Sequence, residues 1–141
     1  MNKKINNSKL IIKNSHTPSD LLQILQSKKI PINGIFSIHD MPTKLTKRKG
    51  NYIFLISPPE HKQHGHWVAL KVRKDKSLYF DSYGIPPPEE IVKISNTSNG
   101  IIFNKNQIQK INENNCGLFC IEFLNHKDFD FLSKFKIHQI I

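Results

Sequence analysis

Cys116-Gly117-Leu118-Phe119-Cys120-Ile121-Glu122-Phe123-Leu124 is the stretch that sets the architecture. A surface helix carries one apolar stripe, but this segment is apolar on every side except at Glu122, so it reads as a helix over 117–124 around which the rest of the chain wraps. Such a helix needs covering layers, and the flanking sequence supplies strands. Tyr52-Ile53-Phe54-Leu55-Ile56 is a continuous apolar, β-branched run that stops at Pro58-Pro59. His66-Trp67-Val68-Ala69-Leu70-Lys71-Val72 and Leu78-Tyr79-Phe80-Asp81 are two more, separated by the polar turn Lys74-Asp75-Lys76, and together the three suggest a meander. Ile101-Ile102-Phe103 adds another strand. The fold class expected is α+β, a small mixed sheet packed on a central helix.

Further out the signals are shorter. Residues 1–15 read as a peripheral lead-in. Pro18-Ser19-Asp20 opens a short helix carrying Leu21, Leu22, Ile24 and Leu25, with Ser19 or Asp20 as its cap and an end near 27–29. Residues 31–42 read as extended chain and turns around Phe36 and Ile38, and 44–50 as a basic loop. Pro86-Pro87-Pro88 followed by Glu89 and Glu90 starts a short helix over 89–94. The tail, 129–141, is expected to form a final helix packed on the sheet.

The chain has 141 residues and 16.4 kDa, enough for a single domain spanning 1–141. Its 38% hydrophobic and 23% charged residues exclude collagen-like, mucin-like and wholly disordered classes. No apolar run approaches the roughly 20 residues that span a bilayer, and the start lacks a signal-peptide core, so a soluble, unsecreted protein without membrane contact is expected. Cys116 and Cys120 are too few and too close for a disulfide framework, which implies a reducing compartment.

Lys and Arg number 21 against 11 Asp and Glu, a net charge of +10. Ten of the basic residues and only two of the acidic ones fall within 1–50. A basic patch there, with Lys44, Lys47, Arg48 and Lys49 at its centre, would attract DNA or an acidic partner through counterion release. The plainer reading is a solvated loop in a Lys-, Ile- and Asn-rich chain of AT-rich coding.

Chemistry concentrates at the start of the 117–124 helix. The positive end of a helix dipole favours a thiolate, and free backbone N–H groups point outward there, so Cys116 is the candidate nucleophile, with Gly117 leaving a substrate room to approach. Cys120, one turn further in, reads as a core residue. His66 opens one strand and Asp81 ends the next, so antiparallel pairing sets imidazole and carboxylate side by side at one sheet edge. His66 is then the general base or ion-pair partner of Cys116, and Asp81 fixes its tautomer and stabilises its protonated form. Gln109 is the candidate oxyanion donor together with the Cys116 N–H, with Gln107 its competitor. His61, His64 and His66 match no usual zinc spacing, so no metal and no required cofactor is expected. His16, His39, His126 and His138 read as surface or satisfied core residues.

The strings Gly65-His66-Trp67-Val68-Ala69, Tyr79-Phe80-Asp81-Ser82-Tyr83-Gly84, Gln109 and Cys116-Gly117-Leu118-Phe119-Cys120 resemble the adenovirus protease (adenain) family. They look closest to its relatives in virophages and Polinton/Maverick elements. The resemblance covers roughly 18–126 and rests on the order His, Asp, Gln, Cys with His-Trp and Cys-Gly pairs. It implies a cysteine-protease fold whose central helix carries the nucleophile. It also implies a viral endopeptidase that matures capsid and core precursors near small, glycine-containing sites. Such an enzyme would act in the host cytoplasm or virus factory and be packaged in the virion, and the basic patch of residues 1–50 adds DNA as an activator or tether. Carried over by position, Cys116, His66, Asp81 and Gln109 are catalytic, Trp67 walls the substrate channel, and Gly65 and Gly117 border it. The adenovirus enzyme has Glu at the third position, whereas Asp81 matches the SUMO-deconjugating branch of the superfamily. That enzyme's disulfide-linked activating peptide has no counterpart thiol here. A deubiquitinase or deSUMOylase and a non-enzymatic nucleic-acid-binding protein are the alternative readings.

Overall fold

The computed structural model describes residues 16–45, 49–57, 65–74, 76–95, 100–108, 115–127, 130–134 and 137–140. In chain order these form α1 (Pro18–Ser27), β1 (Gly34–Ser37), β2 (Gly50–Ile56), β3 (His66–Val72), β4 (Ser77–Phe80), α2 (Glu89–Ser95), β5 (Ile101–Asn104), α3 (Cys116–Asn125), a 3-10 turn (Leu132–Lys134) and β6 (Ile137–Ile140). The six strands form one mixed sheet in the order β1-β2-β3-β4-β5-β6. β2, β3 and β4 are the antiparallel meander; β1 runs parallel to β2 and β5 parallel to β4, and β6 closes the far edge antiparallel to β5.

The strands read as unbroken apolar runs because both faces of the sheet are covered. One face carries Ile53, Trp67, Ala69, Leu78, Phe80 and Ile102 against α1 and α3. The other carries Tyr52, Phe54, Val68, Leu70, Tyr79 and Phe103 against Ile91 and Ile94 of α2. Side chains alternate across a strand, so a single strand such as β3 feeds both clusters, with Trp67 and Ala69 toward α3 and Val68 and Leu70 away from it.

Helix α3 is pinned to β3 at both ends. Near its start the Trp67 N–H donates to the Cys116 sulfur at 3.4 Å. At its end the fully buried Lys71 donates Nζ to the His126 carbonyl at 2.7 Å and lies 4.7 Å from the centre of the Phe123 ring. Between them Phe123 stacks on Phe80 with ring centres 5.4 Å apart, and Phe131 meets both rings edge-on.

Three expectations change. The cap of α1 is Thr17, not Ser19 or Asp20: the Thr17 hydroxyl accepts from the Asp20 N–H, and the Asp20 carboxylate accepts from the Thr17 N–H. This backbone hydrogen bond, then the Thr17 hydroxyl, holds the Asp20 carboxyl below its ordinary value. The 31–42 stretch contains strand β1, whose parallel pairing with β2 is locked by Asn51, which takes the Asn33 side-chain oxygen on its N–H and donates its own amide to the Pro31 carbonyl. The tail holds no final helix beyond the 3-10 turn among its described residues; Ile137–Ile140 instead pairs with β5, whose outer edge would otherwise stay open.

Candidate functional site

Cys116 is the first residue of α3 and is 9% exposed. Asn115, at the cap position, makes no side-chain hydrogen bond to the helix start, so no cap from Asn115 occupies the opening N–H groups of α3. Those groups and the sulfur sit at the end of the sheet where β3 begins.

His66 and Asp81 meet at that same end through strand register. β3 and β4 pair Ala69 with Phe80, and continuing the ladder places residue 83 opposite His66, with Asp81 its diagonal neighbour on the same face. Asp81 is 2% exposed. Its Oδ1 accepts from His66 Nε2 at 2.6 Å and from the Tyr83 N–H at 2.7 Å. The Tyr83 ring stacks on the imidazole, ring centres 4.2 Å apart and planes inclined by 25°. With Nε2 committed to Asp81, Nδ1 is the ring nitrogen left for the Cys116 thiol.

The His66 pKa is raised from 6.5 to about 9. Burial is the largest influence and acts downward, since it penalises the charged ring. The hydrogen bonds to Asp81 and Cys116, with the charges of both, act upward and together outweigh it. The imidazolium is therefore the favoured form at neutral pH. Cys120 behaves oppositely: fully buried, its thiol is pushed well up by desolvation, then by Cys116 and Asp81, which leaves it an unreactive core sulfur.

The turn after β4 is held against the 104–108 segment. Gly84 has φ +71°, and a Cβ there would stand 2.8 Å from the backbone of Lys105 and Asn106, so only glycine allows this approach. The Ile108 N–H donates to the Ser82 carbonyl at 2.7 Å, and Asn104, 1% exposed, bonds the main chain of Asp81.

The other expected site residues fall in varied places. Trp67 is buried; its backbone contacts Cys116 and its indole N–H donates to the His16 carbonyl at 3.0 Å. Gly65 is required by β2, because a Cβ there would collide with the Ile56 carbonyl oxygen; this close passage aligns His66 with the end of the sheet. Gly117 faces the interior, where a Cβ would come 2.8 Å from the tip of Leu21 and 3.3 Å from Trp67, so its vacant side-chain position admits α1. Gln109 lies outside the described residues; Gln107 is exposed. Lys44 and Lys49 are exposed, while Lys47 and Arg48 lie outside the described residues. Lys49 precedes Gly50, which pairs with Val72 at the end of β3 opposite to His66, so the strand separates it from Cys116 by about 20 Å at roughly 3.4 Å per residue.

His61 and His64 lie outside the described residues, and among the described residues no three His, Cys, Asp or Glu side chains form a metal-binding group. His39 bonds the Ser57 carbonyl and His126 the Glu122 carbonyl. No helix among the described residues is long and apolar enough to cross a membrane. Tyr83 and Asn104 were not legible as site residues. The first follows from strand register alone; the second had one faint signal, an amide closing the apolar run 101–103. No family model and no curated protein matches this chain.

Proposed function

We propose that this chain is a cysteine endopeptidase with an adenain-like fold, in which Cys116 is the nucleophile, His66 its proton partner and Asp81 the orienting acid. The observation that carries the reading is one juxtaposition. A cysteine at the start of a buried helix, without a side-chain cap from Asn115, lies beside an imidazole whose far nitrogen is held by a buried carboxylate. A structural cysteine needs none of this company.

The proposed attack starts from the pair in which His66 holds the proton and the Cys116 sulfur, as thiolate, faces the Trp67 N–H at 3.4 Å. The thiolate adds to the scissile carbonyl carbon, and the carbonyl π pair moves to oxygen. That oxyanion is met by the N–H groups at the start of α3, with Gln109 as the proposed side-chain donor. As the tetrahedral species collapses, the C–N bond breaks and His66 gives its proton to the departing amine. The neutral imidazole then takes a proton from water, whose oxygen attacks the thioester. Collapse of the second tetrahedral species releases the acid and restores the ion pair. Asp81 keeps Nε2–H pointed at itself throughout, so the other nitrogen always faces the sulfur.

The substrates proposed are viral capsid and core precursors cut near glycine-containing sites during virion maturation, in the host cytoplasm or virus factory and in the particle. No cofactor is needed for these steps. DNA, held by Lys44, Lys47, Arg48 and Lys49, would tether the enzyme to its substrates and take no part in chemistry.

Incubation with the capsid precursor encoded alongside this chain, followed by sequencing of the new amino termini, tests the proposal. Discrete cuts near glycine that vanish in Cys116→Ala are expected. Cleavage of ubiquitin or SUMO conjugates with an untouched capsid precursor would replace the maturation role with deconjugation. A Cys116 thiol that alkylates no faster than a free cysteine at neutral pH, with no cleavage, would leave the nucleic-acid-binding reading.

A further inference from the structure

The parallel ladder between β4 and β5 ends at the Tyr79–Phe103 pair, two residues short of Asp81. Beyond it the backbone of Asp81 is still fully bonded, because the side chain of Asn104 takes over. Asn104 Oδ1 accepts the Asp81 N–H at 3.1 Å, and Asn104 Nδ2 donates to the Asp81 carbonyl at 2.7 Å. The same Nδ2 donates to the Asn106 carbonyl at 3.2 Å. A carboxamide has one acceptor and two donor hydrogens in a plane, the set that a peptide N–H and two carbonyls require. A carboxylate would turn acceptors against both carbonyls, and a hydroxyl is too short to span the peptide.

We propose that Asn104 is a positioning residue: its carboxamide clamps the peptide of Asp81 so that the carboxylate is aimed at His66, and ties that turn to the 105–108 segment. Two contacts independent of the amide bring the same strands of chain together. Gly84 packs on the backbone of Lys105 and Asn106, and Ile108 donates to Ser82. The Asp81 carboxylate is free to serve His66 and the Tyr83 N–H because its own main chain is satisfied elsewhere. The inference rests on the reading of Cys116, His66 and Asp81 as catalytic.

Titration of the His66 imidazole, followed by NMR, tests the clamp without any substrate. Among the described residues the titratable groups facing this ring are Asp81, Cys116 and Tyr83, and the charge of Asp81 is also felt by Tyr79 and Cys120. In the unaltered protein His66 should titrate near 9. Asn104→Ala should lower that value by about one pH unit or more, because a carboxylate that drifts from the ring stabilises its charge less. Turnover number should fall by roughly 10- to 100-fold with KM little changed, the size expected for a misplacement near 1 Å. Asn51→Ala is the control: Asn51 is also buried and bonded across chain segments, through Asn33, Pro31 and Arg73, but lies at the other end of β2. It should lose stability and leave the His66 titration unmoved. Asn104→Thr, β-branched and suited to a strand, carries the test if Asn104→Ala does not fold. A folded Asn104 variant with His66 still titrating near 9, or an equal fall in Asn51→Ala, overturns the clamp. A chain without peptidase activity whose His66 titration still answers to Asn104 sinks the proposed function and keeps the clamp.

Discussion

Replacing Asp81 by Asn isolates one charge. The two side chains have nearly the same shape, and the amide oxygen of the variant can still accept the Tyr83 N–H that Asp81 Oδ1 now takes at 2.7 Å, so the turn should survive. What disappears is the carboxylate facing His66 Nε2 at 2.6 Å. The interval between 6.5 and about 9 corresponds to about 3 kcal/mol in favour of the imidazolium, at about 1.4 kcal/mol per pH unit. That is a net figure, since burial of the ring opposes it; Asp81 supplies the largest upward contribution and Cys116 the next. Without the carboxylate the His66 pKa should drop by about 1–3 pH units, the usual effect of an opposite charge at this range. The sign for stability follows from a folded-state value above the unfolded one. The stabilisation is complete below about 6.5 and is lost as pH rises through about 9. The unaltered protein should therefore lose order 3 kcal/mol of unfolding free energy from this group across that window, and Asp81→Asn should lose far less. NMR titration of the ring and urea unfolding at several pH values measure both quantities. On the proposed peptidase reading, the alkaline limb of kcat/KM should lie near 9 in the unaltered protein and move down with the ring. A His66 ring that still titrates near 9 in Asp81→Asn would refute the account.

Four further outcomes are expected. Cys116→Ala should abolish peptide cleavage, whereas Cys120→Ala, which removes a buried sulfur, should fold with a cost of about 1 kcal/mol and still turn over; an active Cys116→Ala would refute the assignment. Gln109→Ala should fold and lose roughly 10²- to 10³-fold in turnover number with little change in KM, and an unimpaired enzyme would pass the role to Gln107 or to the backbone. Gly117→Ala should cost about 1 kcal/mol, the low end for overpacking, because the closest clash of the new methyl is with the flexible tip of Leu21 while Trp67 at 3.3 Å need give only slightly; an unchanged urea midpoint would contradict the packing of α1 on α3. Neutralising Lys44, Lys47, Arg48 and Lys49 together should weaken DNA binding and flatten its salt dependence by close to one unit of slope per lost phosphate contact, with short-peptide cleavage unaffected; a fall in peptide turnover would contradict a tethering role.

Composition and local pattern were enough for much of this protein. The all-round apolar segment from Cys116 onward announced a buried helix, and runs such as 52–56 and 66–72 announced strands, because burial on every side leaves a signal that needs no partner to be seen. Register was partly legible too, since strands 66–72 and 78–81 joined by a short turn must pair antiparallel, and that pairing carries His66 to Asp81. Other features depended on contacts between distant residues. β1 and β6 are short and exist because β2 and β5 offer them open edges, so nothing in 34–37 or 137–140 alone distinguished strand from turn or helix. Gly117 looked like room for a substrate and proved to be room for Leu21, a difference that only the placement of α1 decides. Tyr83 and Asn104 reach His66 and Asp81 through register and through a side chain standing in for a backbone, and hydrogen bonds of that kind leave no period in a sequence. The kinds of group at the site were written in the chain; their distances, and so their chemistry, came from the sheet that assembles them.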